Sequence, residues 1–397
     1  MALSLNLNHP IPDPIAQSRS QELSSLIQQK IEQCGGWIDF ATFMHMALYT
    51  PGLGYYSGGN VKFAHSVKGG GDFITAPQIS PLFSRTLARQ AAQILSETQL
   101  DNSESSILEL GAGTGQLATD LLLELVRLGQ LPAQYFILEV SDYLRQIQLE
   151  TLQELLSADL FKKVVWLDKL PADFIGLILT NEVLDAIPVH LIYQSNQHLY
   201  ERGVAFEQTF VWQDRPLTRV DLINAISPHV LPDDYLTEVC PAANGLIASL
   251  AQCLKQGVIL MLDYGFGAAE YYHPQRNTGT LMCHYQHQVH SDPLIHIGLQ
   301  DVTAHVNFTA IAETGIANGF ILAGYCNQAS FLMNSGILEI LAETSPSDSA
   351  AYMPLAAAAQ KLLSPAEMGE LFKAIAFSKA FSDVLIGFKS GDKAHML

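Results

Sequence analysis

The sequence predicts an α/β fold: a mostly parallel sheet covered by helices on both faces, with a helical segment before it and a β-rich insertion within it. Three observations carry this. Short apolar runs recur at "ILEL" (107–110), "YFILEV" (135–140), "KVVWL" (163–167), "IGLILT" (175–180) and "GVILMLDYG" (257–265), separated by helical patterns. Runs of that length alternating with helices are typical of parallel strands buried on both sides. A glycine turn, "GAGTG" (111–115), joins the first run to a helix, and the stretch 191–237 is rich in aromatic and β-branched residues, as hairpins are.

Taken in order, residues 1–15 are broken by prolines and read as a flexible tail. "QSRSQELSSLIQQKIEQCGG" has helical periodicity and stops at Gly35 and Gly36. "WIDFATFMHMALY" continues as a helix to about Tyr49, where Pro51 and Gly52 break it, and another helix starts near Ser80. Residues 16–100 together are expected to form a helical N-terminal cover. The sheet domain then occupies 101–397, with the β-rich region 191–237 inserted. Over 116–128, Gln116, Asp120, Glu124 and Arg127 make one polar stripe opposite Leu117, Leu121, Leu122 and Leu125. Ser364, Pro365 and Glu367 have the spacing of a helix start, and "DVLIGFKS" (383–390) reads as a last strand.

Bulk properties narrow the function. Of 397 residues, 21 are basic and 39 acidic, a formal charge of −18, and no basic cluster offsets it. Nucleic acid is therefore excluded as the expected partner. The five cysteines (Cys34, Cys240, Cys253, Cys283, Cys326) are scattered without a CxxC pair or zinc spacing. The first residues show neither a signal-peptide nor a transit-peptide pattern, and no stretch reaches the ~18 apolar residues of a membrane span. A bacterial cytoplasmic location without membrane insertion is the expectation.

The glycine turn is the first chemical motif. A dinucleotide fingerprint G-x-G-x-x-G would need glycine at 116, where Gln116 stands, and a P-loop would need a lysine and a hydroxyl at the helix start. Glu109, just before the turn, would repel a pyrophosphate and attract a cation. S-adenosylmethionine carries an ammonium and a sulfonium and no phosphate. Gly111, Gly113 and Gly115 would allow close backbone approach, and the following helix N-terminus could receive a carboxylate.

Glu139 closes the second run, where an acid can accept ribose hydroxyls in either a methyl-donor or a dinucleotide fold. Asp168, after the third run, is placed equally well against an adenine amino group or in a solvent-facing turn. Asn181, Glu182 and Asp185 in "NEVLDAIP" cluster after the fourth run. Acids at that spacing can fork onto a guanidinium; alternatively, Asn181 and Glu182 would cap a helix start. His284, His287 and His290 could share a helical face, although a surface segment without metal is the favoured reading. Asp301, Thr303 and His305 alternate in "DVTAHVNF" and could line the site or brace a helix start.

These blocks together resemble the MidA-type family of S-adenosylmethionine-dependent methyltransferases, whose mitochondrial members are protein-arginine methyltransferases that assist complex I assembly. The carrying segments are "GGWIDFATFMHMALYTPGLGYY" (35–56), "GDFITAPQISPLF" (71–83), "LELGAGTGQLATDLL" (108–122), "NEVLDAIPV" (181–189), "LMLDYGFG" (260–267) and "GLQDVTAHVNF" (298–308). The resemblance implies a class I methyltransferase, Rossmann-like sheet. It implies that Glu109, Gly111, Gly113 and Gly115 form the methionine-side pocket and that Glu139 is the ribose acid. Asp72, Phe73 and Thr75 would belong to a lid over the cofactor, and Asn181, Glu182 and Asp185 to the substrate side.

Gln78 and Ser84 depart from the family's usual glutamate and glycine, and Asn307 from its aspartate. The implied partner is a protein substrate, with a subunit of a respiratory or NADH-dehydrogenase-like complex as one candidate; a homodimer is compatible with the sequence. A cofactor-binding assembly chaperone without turnover and a nucleotide-dependent oxidoreductase are the rival expectations.

Overall fold

The computed structural model describes residues 10–58, 75–98 and 104–397. Its main sheet has eight strands. Along the principal path the order is Ile321–Asn327, Phe372–Lys379, Leu254–Phe266, Phe174–Asn181, Ser106–Leu110, Tyr135–Leu138 and Val164–Leu167, and Val306–Asn307 adds beside the end of Leu254–Phe266. The strands from Leu254–Phe266 to Val164–Leu167 are parallel. Phe372–Lys379 runs antiparallel to both neighbours.

Alternate residues of single strands serve opposite layers. Ile107, Leu177, Leu179, Val258, Leu260 and Leu262 face one core, and Leu108, Leu110, Ile178, Ile259 and Met261 the other. This two-sided burial is why the strands read as unbroken apolar runs. From Ser106–Leu110 the chain winds outward through Tyr135–Leu138 and Val164–Leu167, then returns to Phe174–Asn181 on the opposite side. The reversal opens a crevice at the carboxyl ends of Ser106–Leu110 and Phe174–Asn181, where open parallel sheets bind ligands.

A second, antiparallel sheet comprises Ile38–Asp39, His198–Phe206, His190–Ser195, Tyr235–Val239 and Phe210–Pro216. The N-terminal stretch divides between the two sheets. Helices Pro14–Gln33 and Phe40–Tyr49 bury Leu23, Ile27, Ile31, Phe40 and Phe43 against Leu191 and Val204 of the second sheet. Helix Pro81–Thr98 instead packs into the core of the main sheet with helix Gln116–Leu128.

Two C-terminal expectations are corrected. Ser364 ends a helix rather than starting one: Ser349–Leu363 is capped at its front by Asp348, and the amide of Ser364 closes its last turn onto Gln360 O. The alanine-rich run before Ser364 has the higher helix propensity. The last strand is Phe372–Lys379, while 383–390 contains a 3-10 turn, Ile386–Phe388. There the amides of Ile386 and Gly387 donate to the side-chain oxygens of Gln93 and Gln90, in place of a strand ladder.

Candidate active site

The first strand of the parallel set ends at Leu110, and the chain then turns through three glycines in left-handed conformation, Gly111 (φ 65°), Gly113 (φ 54°) and Gly115 (φ 82°). Side chains other than glycine adopt that region at a cost, so the turn requires these residues. It is also crowded. A Cβ at Gly111 would stand 3.0 Å from Val183 Cγ2, and one at Gly115 would stand 3.3 Å from Gln148 Cα. Gly111 and Gly113 line a cavity of about 300 Å³ at the crevice, whereas Gly115 caps the following helix and supports the turn from behind.

Glu109 lines the same cavity and is buried, accepting the Tyr135 hydroxyl at 2.7 Å. Burial, helped by the charge of Glu139, pushes its carboxyl up to about 7 against the pull of that hydrogen bond. Glu139 accepts the amide of Ser141 and the side-chain amide of Gln148, both at 3.0 Å. Gln148 donates equally to Gly113 O at 3.0 Å, and its own oxygen receives Trp166 Nε1 at 3.0 Å. One buried amide thus ties the glycine turn to the acid of the second strand.

On the facing side, Asn181, Glu182 and Asp185 all line the cavity. Glu182 Oε1 accepts from Asn181 Nδ2 at 3.2 Å and from the amide of Ala76 at 3.4 Å. Burial first, then the charge of Asp185, pushes the Glu182 carboxyl up to about 8. Asp185 Oδ2 receives the Tyr264 hydroxyl at 2.5 Å, and burial raises the Asp185 carboxyl to about 6 although that bond opposes it. Asp301 adds a third carboxylate to this wall and accepts the Tyr56 hydroxyl at 2.9 Å. Tyr56 stacks on Tyr49 with ring centroids 5.5 Å apart.

Among the described residues that line the cavity there are five acids, Glu109, Glu139, Glu182, Asp185 and Asp301, and no lysine or arginine. Two buried acceptors on the wall, Asn181 Oδ1 and Asp185 Oδ1, meet no donor in hydrogen-bonding geometry among the described residues. Buried polar atoms are ordinarily paired. The wall is built to receive donors and positive charge.

Thr75 lines the cavity, while Asp72 and Phe73 lie outside the described residues. Asp168, read as an adenine partner or a solvent-facing turn acid, does not line the cavity: its side chain is 89% exposed and it pairs with Arg145 at 2.8 Å. Arg145 also binds Leu167 O at 2.6 Å, which holds this corner on the outer rim. The histidine segment is corrected. It forms a hairpin, Met282–Tyr285 with Gln288–His290, turning through Gln286 and His287 at positive φ, so the three rings share no helical face. His284 lines the cavity.

Elsewhere, Asp39, His190 and Glu201 bring possible metal-ligand atoms within 4.8 Å of one another on the second sheet. Arg219 Nη1 stands 2.9 Å from His190 Nε2, so a guanidinium supplies the positive charge there.

Two departures from the family pattern have local explanations. Gln78 Oε1 accepts the amide of Thr75, a capping bond that an amide makes as well as a carboxylate. Asn307 caps helix Phe308–Ala317 by accepting the amide of Ala310, again without needing charge. Ser84 is buried in helix Pro81–Thr98 and does not line the cavity.

Residues 86–326 match a family model described as "Putative S-adenosyl-L-methionine-dependent methyltransferase". A Burkholderia thailandensis protein, solved with S-adenosyl-homocysteine bound, is 45% identical, with a TM-score of 0.93 over 98% of this chain and 100% of its own. The chain belongs to this methyltransferase family. It is an S-adenosyl-L-methionine-dependent methyltransferase on a class I sheet, and the nucleotide-dependent oxidoreductase alternative falls.

More distantly, the chain is similar to the mitochondrial protein arginine methyltransferase NDUFAF7 of Danio rerio, 28% identical over 94% of this chain and 92% of that one. The human NDUFAF7 is 26% identical over 96% and 91%. The cavity suits the cofactor on its own evidence: a left-handed glycine turn in which a Cβ at Gly111 would crowd Val183, and an acid lining matched to a cation without phosphate.

The sequence reading does not single out Tyr49, Tyr56, Tyr135, Gln148 or Tyr264 at this site, or Asp263 behind it. Gln148 did leave a signal, because it occupies an apolar stripe position midway between the buried Leu144 and Leu152. Asp263 and Tyr264 stand near the carboxyl end of a parallel strand, where ligand-facing groups of such sheets are found.

Proposed function

We propose that the chain transfers the methyl group of S-adenosylmethionine to a guanidino nitrogen of arginine in a protein substrate. The observation that carries this reading is the wall of Glu182, Asp185 and Asp301 beside the unpaired acceptor Asn181 Oδ1, with no basic residue among the described lining. The NDUFAF7 relatives, named as protein arginine methyltransferases, point the same way.

The cofactor supplies an electrophilic methyl on a sulfonium, so the chain's task is binding, orientation and proton management. Glu109 would hold the ammonium side of the donor, Gly111 and Gly113 its methionine backbone, and Glu139 the ribose hydroxyls; Thr75 lines the same cavity. Glu182 and Asp185 would grip the acceptor guanidinium in plane, with Asn181 Oδ1 taking a further N–H. As the N–C bond forms, the departing sulfur takes the electrons of the S–C bond, and the acceptor nitrogen must shed a proton. Glu182, raised to about 8 in the free protein, holds a proton at neutral pH; an entering guanidinium favours its ionised form, and the carboxylate so formed would take the acceptor's proton at Oε2.

The test is transfer of label from tritium-methyl S-adenosylmethionine into an extract of cells lacking the gene, followed by hydrolysis and amino-acid analysis. Labelled methylarginine is expected, and a respiratory-complex subunit is the first acceptor to examine. Label in methyllysine or in a non-protein fraction would reject arginine. Cofactor binding with no label transferred to any acceptor would favour the chaperone.

A further inference from the structure

Glu182 has a backbone conformation that its side chain does not favour, φ 54°, and the chain bends on through Val183 and Leu184 into a turn at Asp185 and Ala186, which the amide of Ile187 closes onto Leu184 O. Non-glycine residues are held in this region only where their surroundings impose it. Among the groups that impose it here, one buried carboxyl takes three backbone amides. Asp263 is fully buried and does not line the cavity, yet its Oδ2 receives three consecutive amides: Val183 at 3.1 Å, Leu184 at 2.9 Å and Asp185 at 3.3 Å.

Its other oxygen, Oδ1, receives the amide of Tyr264 at 2.9 Å, which fixes the carboxylate to its own strand. The amide of Glu182 is held separately, by Leu262 O at 2.9 Å. Consecutive amides converging on one carboxyl form a concavity of the kind that otherwise binds anions, and their bonds oppose burial and the charges of Asp185 and Glu182, which push the Asp263 carboxyl up. The sequence block "LMLDYG" therefore carries two supports for one turn: Asp263 binds its backbone, and Tyr264 binds the Asp185 side chain.

The geometry points to Asp263 as a positioning residue that locks the 182–185 turn so that Glu182 and Asp185 both face the cavity. This rests on the reading of those two acids as the acceptor's grip. Asp263 touches neither donor nor acceptor and acts through the turn alone. An asparagine in its place keeps one oxygen and, in either orientation, turns its N–H₂ onto an amide donor, the Tyr264 amide or the three turn amides, so the fixed arrangement is broken at nearly constant volume.

The test compares Asp263→Asn with the native chain in three measurements. Calorimetry with S-adenosylmethionine is expected to give a Kd within about threefold of native, because Gly111 and Gly113 are hydrogen-bonded to Leu138 O and Gln148 and not to Asp263. Transfer of tritiated methyl to gene-deleted cell extract, at saturating cofactor, is expected to fall on the order of 10²-fold, the usual cost of a misplacement near 1 Å. A residue that merely stabilised the fold would instead weaken cofactor binding and turnover together.

The third measurement, hydrogen exchange, needs no variant to fold. In the native chain the amides of Val183, Leu184 and Asp185 should exchange slowly although they lie outside any helix or strand, and fast exchange would overturn the assignment. Native-like transfer by Asp263→Asn would also overturn it. If Glu182→Gln and Asp185→Asn lose transfer while Asp263→Asn keeps it, only the positioning role fails. If those two variants keep full transfer, the acceptor-grip reading fails first.

Discussion

Tyr264 donates its hydroxyl to Asp185 Oδ2 at 2.5 Å, with both side chains buried at the carboxyl edge of the main sheet. The bond opposes the effect of burial on Asp185, whose carboxyl sits near 6. Tyr264→Phe removes the donor and leaves the ring in place. Asp185 should then ionise only at higher pH, so the acidic limb of the transfer rate should shift to higher pH. A stability loss of about 1–3 kcal/mol is expected from stranding a buried acceptor. An unmoved pH profile would mean that Asp185 does not act in its charged form.

Gln148 offers a test of the cofactor side that leaves the acceptor side alone. Its amide donates to Gly113 O and to Glu139 Oε2. Gln148→Glu keeps the shape but loses both donors and places a second carboxylate against Glu139. Affinity for S-adenosylmethionine should fall at least about tenfold, the equivalent of one lost hydrogen bond to a charged group. Calorimetry reads this directly, and an unchanged Kd would show that the bridge does not shape the cofactor pocket.

The two cases show what was legible in the sequence. The parallel strands were readable because burial on both faces leaves unbroken apolar runs, and the glycine turn because left-handed backbone selects glycine. Glu109, Glu139, Asn181, Glu182 and Asp185 were found because each follows or ends such a run. Contacts between distant segments left weaker traces. Tyr264 meets Asp185 and Tyr56 meets Asp301 only once the sheet has formed. Asp168 obeyed the same strand-end rule as Glu139 yet lies on the rim, paired with Arg145. The misread 383–390 segment has strand-like residues, but its amides are taken by Gln90 and Gln93 from another helix.

The glycines of the turn should separate stability from binding. At Gly113 an added Cβ meets nothing within 4 Å, so Gly113→Ala carries only the left-handed backbone penalty, roughly 1–2 kcal/mol. At Gly115 the same penalty is joined by contact with Gln148 Cα at 3.3 Å. Thermal denaturation should therefore show Gly115→Ala as the less stable variant. Calorimetry should show a direct loss of cofactor affinity for Gly113→Ala, because Gly113 lines the cavity. If Gly113→Ala binds as tightly as the native chain, the cofactor does not lie against that backbone.

Glu109 links cofactor binding to pH in a direction that follows from its burial. Its carboxyl titrates near 7 in the free protein, so at pH 6 it is mostly neutral and offers a cation little attraction. Binding a sulfonium and an ammonium favours the charged form, so affinity should rise by up to about tenfold between pH 6 and 7.5, with release of a proton. The free protein should change stability in the opposite sense. Glu109, Asp185 and Glu182 hold protons in the folded state at pH values where the unfolded chain has lost them, so stability is greatest below the ordinary carboxyl range and falls as pH rises through about 6, 7 and 8. The thermal shift produced by S-adenosylmethionine should therefore widen with pH in the native chain. In Glu109→Gln the dependence of affinity on pH should flatten, and a slope as steep as the native one would place the responsible group elsewhere in the cavity.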